Sequence, residues 1–391
     1  MRYSVSNVIK IVMWFEVLCM AGCSSVDIRK TSTSTHTPIS APTFPVTAFP
    51  TRLPLTGKIA FIGGEMPNYH LYVMNADGSA LVDITPLNLL HIESISWSPS
   101  LSWSPDGQYI AFETTKDGVM QIFKIKPNGS GLVQLTFGKE GSFSPSWSPD
   151  GQYIAFAASK DNVLQIFKIK SDGSGLVQLT LSNSNGDEPM WSPDGKNIMF
   201  TFSNPDILDS TGIPGAPQIY IMNSDGTGIH RLAVKAKPEN TIMTGSYQKD
   251  GLIAVQEPIT FYAFSNYVVN PDGIIQKQFP EFSTESLIAW SPDGEFFAYA
   301  PSRRTPGCFG VIVMKFDQSE QKCLVDQQPN SSVYFSQVSW SPDGKYIMFS
   351  SNLNGDYDLY VIRPDGSGLI QLTNTPKGED WAVWWAMSLT N

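Results

Sequence analysis

The sequence predicts an all-β fold: a seven-bladed β-propeller of four-stranded antiparallel blades, closed by the C-terminal strand. Three observations predict it. The run Trp-Ser-Pro-Asp-Gly recurs from Trp103, Trp147, Trp191, Trp290 and Trp340, and a near-constant period of this size marks a repeat architecture. The 391 residues are 12% aromatic and 41% hydrophobic but only 16% charged, with 31 Gly and 28 Pro. That mix suits short strands joined by tight turns better than helices, whose surfaces need more Lys, Glu and Arg. Finally, an aromatic segment near the C-terminus, Ala382-Val-Trp-Trp-Ala-Met387, supplies a Trp strand that the first repeat lacks.

The elements follow in chain order. Residues 1–22 read as an export signal: Arg2 and Lys10 precede the apolar runs Ile11–Phe15 and Val17–Met20, and Ala21-Gly22-Cys23 has the small residues of a bacterial lipoprotein cleavage box. Glu16 interrupts the apolar core and leaves too short a stretch for a permanent transmembrane helix. An ordinary secretory signal or membrane anchor is the alternative. On the lipoprotein reading Cys23 is lipidated and the protein sits outside the cytoplasm on a membrane. Residues 23–55 are dominated by Thr, Ser and Pro. They offer too little apolar surface to offset the entropy of ordering, so they read as a stalk.

From residue 56 the repeats begin. Each Trp ends a first strand, and Ser-Pro-Asp-Gly is turn chemistry: Pro presets φ, Asp bonds back to the backbone, and Gly tolerates positive φ. In the repeat at Trp147, Tyr-Ile-Ala-Phe156 is strand two, Gln165-Ile-Phe-Lys-Ile is strand three, and Leu-Val-Gln-Leu-Thr180 is strand four after a Ser-Asp-Gly-Ser-Gly hairpin. Such a sheet buries little alone, so radial stacking of sheets is required. The gap between Trp191 and Trp290 hides a degenerate copy at Tyr247-Gln-Lys-Asp-Gly251. Strands two to four occur seven times, and the segment holding Trp384 completes the first copy, leaving no free edge. Six or eight blades are the alternative counts. Ile95-Ser-Trp-Ser-Pro-Ser100 nearly duplicates Leu101–Asp106, so one copy is expected to loop out. Asn204–Pro217 is a polar insertion in the fourth unit.

At these residues the chain resembles the TolB-like propeller repeats found in periplasmic TolB and in tricorn-type and prolyl-oligopeptidase-type peptidases. The likeness runs from about residue 57 onward, and its motifs are structural, so it implies a fold more than an activity. Periplasmic TolB has an additional N-terminal α/β domain and six blades; here that domain is missing and the count is seven. The resemblance therefore implies a propeller that binds a partner, without carrying over TolB's own role.

The chemistry points the same way. No Gly-x-Ser-x-Gly elbow occurs, and the chain ends at ring closure, so a peptidase is not expected. Some TolB-like propellers are lyases of acidic sugars that hold a metal on clustered histidines. Here His36, His70, His91 and His230 are scattered. Asn75–Gly78, Asn223–Gly226 and Asn354–Asp358 echo calcium loops, but none has a closing bidentate Glu, and Asp-Gly serves the hairpin turn. No cofactor and no metal are expected. A net charge of −10 makes nucleic acid an unfavourable partner. Cys308 and Cys323 fall in one predicted hairpin but not opposite each other, so a disulfide between them needs the Gly307 loop to fold back.

The segments entering the Trp strands carry Glu93, Glu140, Asp187, Glu188, Glu285, Glu379 and Asp380, with Trp381 beside them. In a propeller these links border one mouth of the central channel. They form either an acidic funnel for a cation or basic peptide, or a solvated rim on an acidic protein. The expected function is a non-catalytic extracytoplasmic binding or scaffold lipoprotein, monomeric, presenting this face to a protein or peptide. A carbohydrate-binding or carbohydrate-active propeller is the alternative.

Overall fold

The fold comes from a computed structural model, which describes residues 55–65, 68–86, 100–203, 218–233, 244–260, 263–279, 288–301, 308, 310–326, 333–374 and 379–385. These residues form seven four-stranded antiparallel sheets and no helix. Blade 1 is assembled from both ends of the propeller. Glu379–Trp385 pairs with Lys58–Glu65, which pairs with Asn68–Asn75 and then Val82–Asp83. Blades 2 to 7 are consecutive meanders whose first strands are Leu101–Trp103, Ser142–Trp147, Asn185–Trp191, Thr244–Tyr247, Ala289–Trp290 and Phe335–Trp340. Ring closure is thus made by ladder hydrogen bonds, with Ile59 opposite Trp384.

The repeated residues build this geometry locally. In blade 2 the Ser104 hydroxyl donates to Asp106 Oδ1 (2.6 Å) and accepts the Tyr109 amide (2.9 Å), while Gly107 N–H closes the turn on Ser104 O (2.8 Å). Gly107 has φ of 66°, which a side chain would resist. The same Ser–Asp pair recurs at Ser148, Ser192, Ser291 and Ser341. Trp103 forms the paired strand of blade 2, opposite Ile110; the duplicate around Trp97 and the Asn204–Pro217 insertion lie outside the described residues.

The core is divided among the joints between blades. Among the described residues seven apolar clusters occur, each drawn from two neighbouring sheets. Ala60, Ile62, Leu71 and Val73 of blade 1 meet Ile110, Phe112 and Phe123 of blade 2. Ile59, Phe61 and Met74 of blade 1 meet Met348, Leu359 and Val361 of blade 7, which closes the ring. Within blades, strand-two and strand-three aromatics stack, as in Phe112–Phe123 (5.9 Å) and Phe349–Tyr360 (5.6 Å). Each such Phe is worth roughly 1.5–3 kcal/mol of burial, and only a neighbouring blade can provide it.

Candidate functional site

The first strands of blades 6, 7, 1, 2, 3 and 4 touch one another in succession, while most fourth strands are two-residue pieces at the opposite edge. The first strands therefore line the axis. The blade 1 ladder shifts register opposite Ala60 and Ile62, and in blades 3, 4 and 7 the first strands are likewise not regular. Their ladders shift register between Phe143 and Ser146, Asp187 and Met190, and Ser336 and Ser339. In each of these three bulges a non-glycine residue takes positive φ: Ser144 (54°), Glu188 (51°) and Gln337 (55°), always three residues before the blade's Trp. A bulge re-aims side chains that would otherwise alternate between the sheet faces.

These bulges gather carboxyl groups. Glu113, on strand two of blade 2 (Ile110–Lys116), is 1% exposed. Its Oε2 accepts the Ser144 amide of blade 3 at 2.6 Å, and its Oε1 has no partner. The Ser144 hydroxyl donates to Asp187 Oδ1 of blade 4 at 3.0 Å, and the Glu188 amide donates to the same oxygen at 2.7 Å. Three blades thus converge on one serine. Burial, against the pull of the Ser144 N–H and with the help of the nearby Asp187 charge, pushes the Glu113 carboxyl up to about 8. Burial likewise raises Asp187, and burial with the Asp187 charge lifts Glu188 to about 7. Asp187 is half-buried and Glu188 exposed by solvent contact, yet protein encloses both carboxyls on nearly every side. Groups that water reaches but protein surrounds are what a channel wall produces.

The acidic residues expected on the links are placed as follows. Asp187, Glu188, Glu379 and Asp380 lie within first strands (Asn185–Trp191 and Glu379–Trp385) rather than on links, because those strands continue through the bulges. Trp381 shares the second of these strands. Glu140 is an exposed link residue. Glu93 and Glu285 lie outside the described residues. Glu113 was missed by sequence reasoning. Its one signal is the aligned repeat, where Ala157, Thr201, Gln256, Ala300 and Ser350 occupy the same slot after strand two's aromatic or Val residue.

Elsewhere the polar groups serve the fold. His70 bonds Asp83 at the surface (2.8 Å), and His230 bonds the Gly228 carbonyl (2.9 Å); His36 and His91 lie outside the described residues. Asp77 and Asp225 in the calcium-like loops accept the Ser79 and Thr227 amides and hydroxyls of their own turns. Cys308 and Cys323 are joined in a disulfide. An open cavity of about 320 Å³ lined by Lys58, Gly107, Gln108, Lys126, Pro127 and Asn128 lies on the turn side, between blades 1 and 2.

Fold and site together define a seven-bladed β-propeller with carboxyl groups gathered on its axis. The family model for the TolB beta propeller domain matches residues 139–258, which span the chain's third and fourth blades and reach into the fifth. An uncharacterized protein of Agrobacterium fabrum is 27% identical over 176 residues, covering 41% of this chain and 56% of that relative. The Tol-Pal system protein TolB of Syntrophus aciditrophicus is 47% identical over 45 residues, 10% of each chain. Among solved structures, TolB from Acinetobacter baumannii superposes with a TM-score of 0.50 at 20% identity, covering 84% of this chain and 66% of that one. A puromycin-hydrolyzing peptidase of Mycobacterium tuberculosis superposes at 0.60 with 13% identity, covering 85% and 57%. The chain spans little more than half of the Agrobacterium relative and of that peptidase, and at these identities the structural likeness is one of fold.

Proposed function

We propose that this chain is an extracytoplasmic, membrane-tethered propeller that binds a protein or peptide at the axial mouth and performs no catalysis of its own. The carboxyl cluster of Glu113, Asp187 and Glu188 around Ser144 carries the reading. It gathers three carboxyl groups at the axis with no Lys, Arg or His paired to them among the described residues, and solvent reaches Glu188. The TolB-type repeats and a relative named for the Tol-Pal system support a partner in the envelope. The Cys308–Cys323 disulfide fits an oxidising compartment. On this proposal residues 1–22 are the signal, Cys23 is lipidated, residues 23–55 are a stalk, and residues 56–391 work as a monomeric propeller. Glu93, Glu140, Glu285, Glu379, Asp380 and Trp381 complete the mouth.

The test is crosslinking capture with the full chain from an envelope extract of its own source. A partner retained by the wild-type chain and lost from the Asp187→Asn/Glu188→Gln double variant is the expected result. Identical capture by both proteins, or no capture at all, contradicts the proposal.

A further inference from the structure

We infer that Glu113, Ser144, Asp187 and Glu188 form a subsite for an organic cation: the guanidinium or ammonium of an Arg or Lys side chain on a peptide that has apolar residues beside it. The inference rests on the partner-binding reading above and names the chemistry of the contact.

The site lacks a partner of opposite charge. Among the described residues no Lys, Arg or His pairs with Glu113, Asp187 or Glu188, and every hydrogen bond described for their carboxyls comes from Ser144 or the Glu188 backbone. Glu113 Oε1 is buried with no partner, a costly arrangement, and the carboxyl keeps its proton while no cation is near; a cation would supply the missing contact and let that proton leave. That oxygen shares its carboxyl with Oε2, which Ser144 N–H ties to the side of Asp187. A ligand with several N–H groups would supply what is lacking, and a guanidinium does so as a planar fork matched to carboxylates.

Spacing argues against a bare metal ion. Among the described residues the one set of three potential ligands within 4.8 Å of one another is Cys308, Cys323 and Asp326, whose sulfurs are already bonded. The axial carboxyls are more widely spread than oxygens closing on an ion at roughly 2.0–2.6 Å. A larger cation spans them.

The apolar part comes from the links into the same two strands. Phe137 is 77% exposed and Leu181 is 85% exposed, at equivalent repeat positions just after Thr136 and Thr180. Both links are fixed: Gln121 Nε2 donates to Gly138 O (2.8 Å) and Gln165 Nε2 to Ser182 O (2.9 Å). These large side chains are therefore displayed on anchored backbone, ahead of the strands that carry Ser144 and Asp187. A free polyamine satisfies the carboxyls but leaves Phe137 and Leu181 unused; a peptide with apolar neighbours of its Arg or Lys uses both.

Calorimetry and ligand-observed NMR on the full chain decide it, with acetyl-Leu-Arg-Phe-amide, acetyl-Leu-citrulline-Phe-amide, spermidine and calcium chloride as probes. The Arg peptide is expected to bind about tenfold or more tightly than its neutral citrulline analogue, as loss of a charge-assisted contact implies. Glu188→Gln, at a solvent-reached position, and Glu113→Gln should each erase most of that preference, and Phe137→Ser/Leu181→Ser should weaken the peptide but not spermidine. Equal binding of Arg and citrulline peptides, or a preference untouched by both Glu variants, overturns the subsite. Spermidine binding as tightly as the peptide, with no effect of the Phe137 and Leu181 changes, overturns the peptide as its occupant. Calcium binding abolished by the same Glu variants, with no Arg preference, replaces the organic cation by a metal. Arg preference without any captured envelope partner leaves this subsite standing and removes the macromolecular partner; the converse result removes only the subsite.

Discussion

Replacing Glu113 by Gln should make the propeller more stable, and increasingly so as the pH rises. The carboxyl is buried and held up at about 8, against an ordinary value of 4.5. Between those limits the folded chain keeps a proton that the unfolded chain has lost. Stability therefore falls as pH increases through this window, by about 1.4 kcal/mol per unit. The loss is absent below the unfolded value and reaches about 5 kcal/mol once pH has passed 8. Gln cannot ionise, and its amide oxygen can still accept the Ser144 N–H. Its amide nitrogen meets the place where Oε1 has no partner, a penalty that does not depend on pH. Asp187 and Glu188 titrate in both proteins and largely cancel in the difference. From pH 5 to pH 8 the advantage of the variant should grow by about 4 kcal/mol, or about 6 °C in Tm for a domain of this size. Thermal melts of both proteins at matched scan rate across pH 5–9 measure it. Curves that stay parallel over that range refute the argument that burial of Glu113 carries a protonation cost.

Three further outcomes follow from the packing. Gly226→Ala places a Cβ 3.0 Å from the Leu179 carbonyl of the neighbouring blade at φ of 90°, whereas Gly118→Ala at φ of 79° meets nothing within 4 Å; the first should cost more than the second, which should lose about 1 kcal/mol for its backbone alone. Equal losses in urea unfolding would show that the blade-to-blade approach is slack. Phe349→Ala removes a fully buried ring stacked on Tyr360, and should lower stability by about 3–5 kcal/mol in the same assay. Cys308→Ser/Cys323→Ser opens a loop of 15-residue separation and should cost about 3 kcal/mol, and reductant should lower the Tm of the parent but not of that variant.

The blades were legible because each rests on residues whose local chemistry allows few alternatives. Ser-Pro-Asp-Gly makes one turn wherever it occurs, and the Trp384 segment could only complete the blade that lacked a first strand. The duplicated Trp-Ser-Pro run around residues 97 and 103 was a different matter. Both copies had the same local chemistry, and only pairing with Ile110 selects Trp103. The disulfide was open for a related reason: Cys323 faces Ile312 in the ladder, and Cys308 meets it from before the strand, after a register shift at Val311. Periodicity does not report such a return.

The axial site was legible only in part, and the bulges explain why. A positive φ usually announces itself through Gly or Asn, but here it falls on Ser144, Glu188 and Gln337, residues that give no local sign of it. Without the bulge, Asp187 and Glu188 read as link residues at a rim. With it they belong to a strand at the axis, and the Asp187 carboxyl meets a Glu from two blades away through Ser144. The fold repeats the bulge position from blade to blade but fills it with Ser, Glu or Gln, so the frame is common while the chemistry differs. Selection for the ring acts on Trp, Pro, Asp and Gly, which recur. Any preference for a ligand must then be written in the residues that do not recur, and Glu113 is one: the single carboxyl among described residues in a slot that other blades fill with neutral side chains. Replacing its carboxyl by an amide should leave the ring intact or steadier while changing what the axis attracts, a separation of stability from recognition that no substitution at the repeated residues could produce.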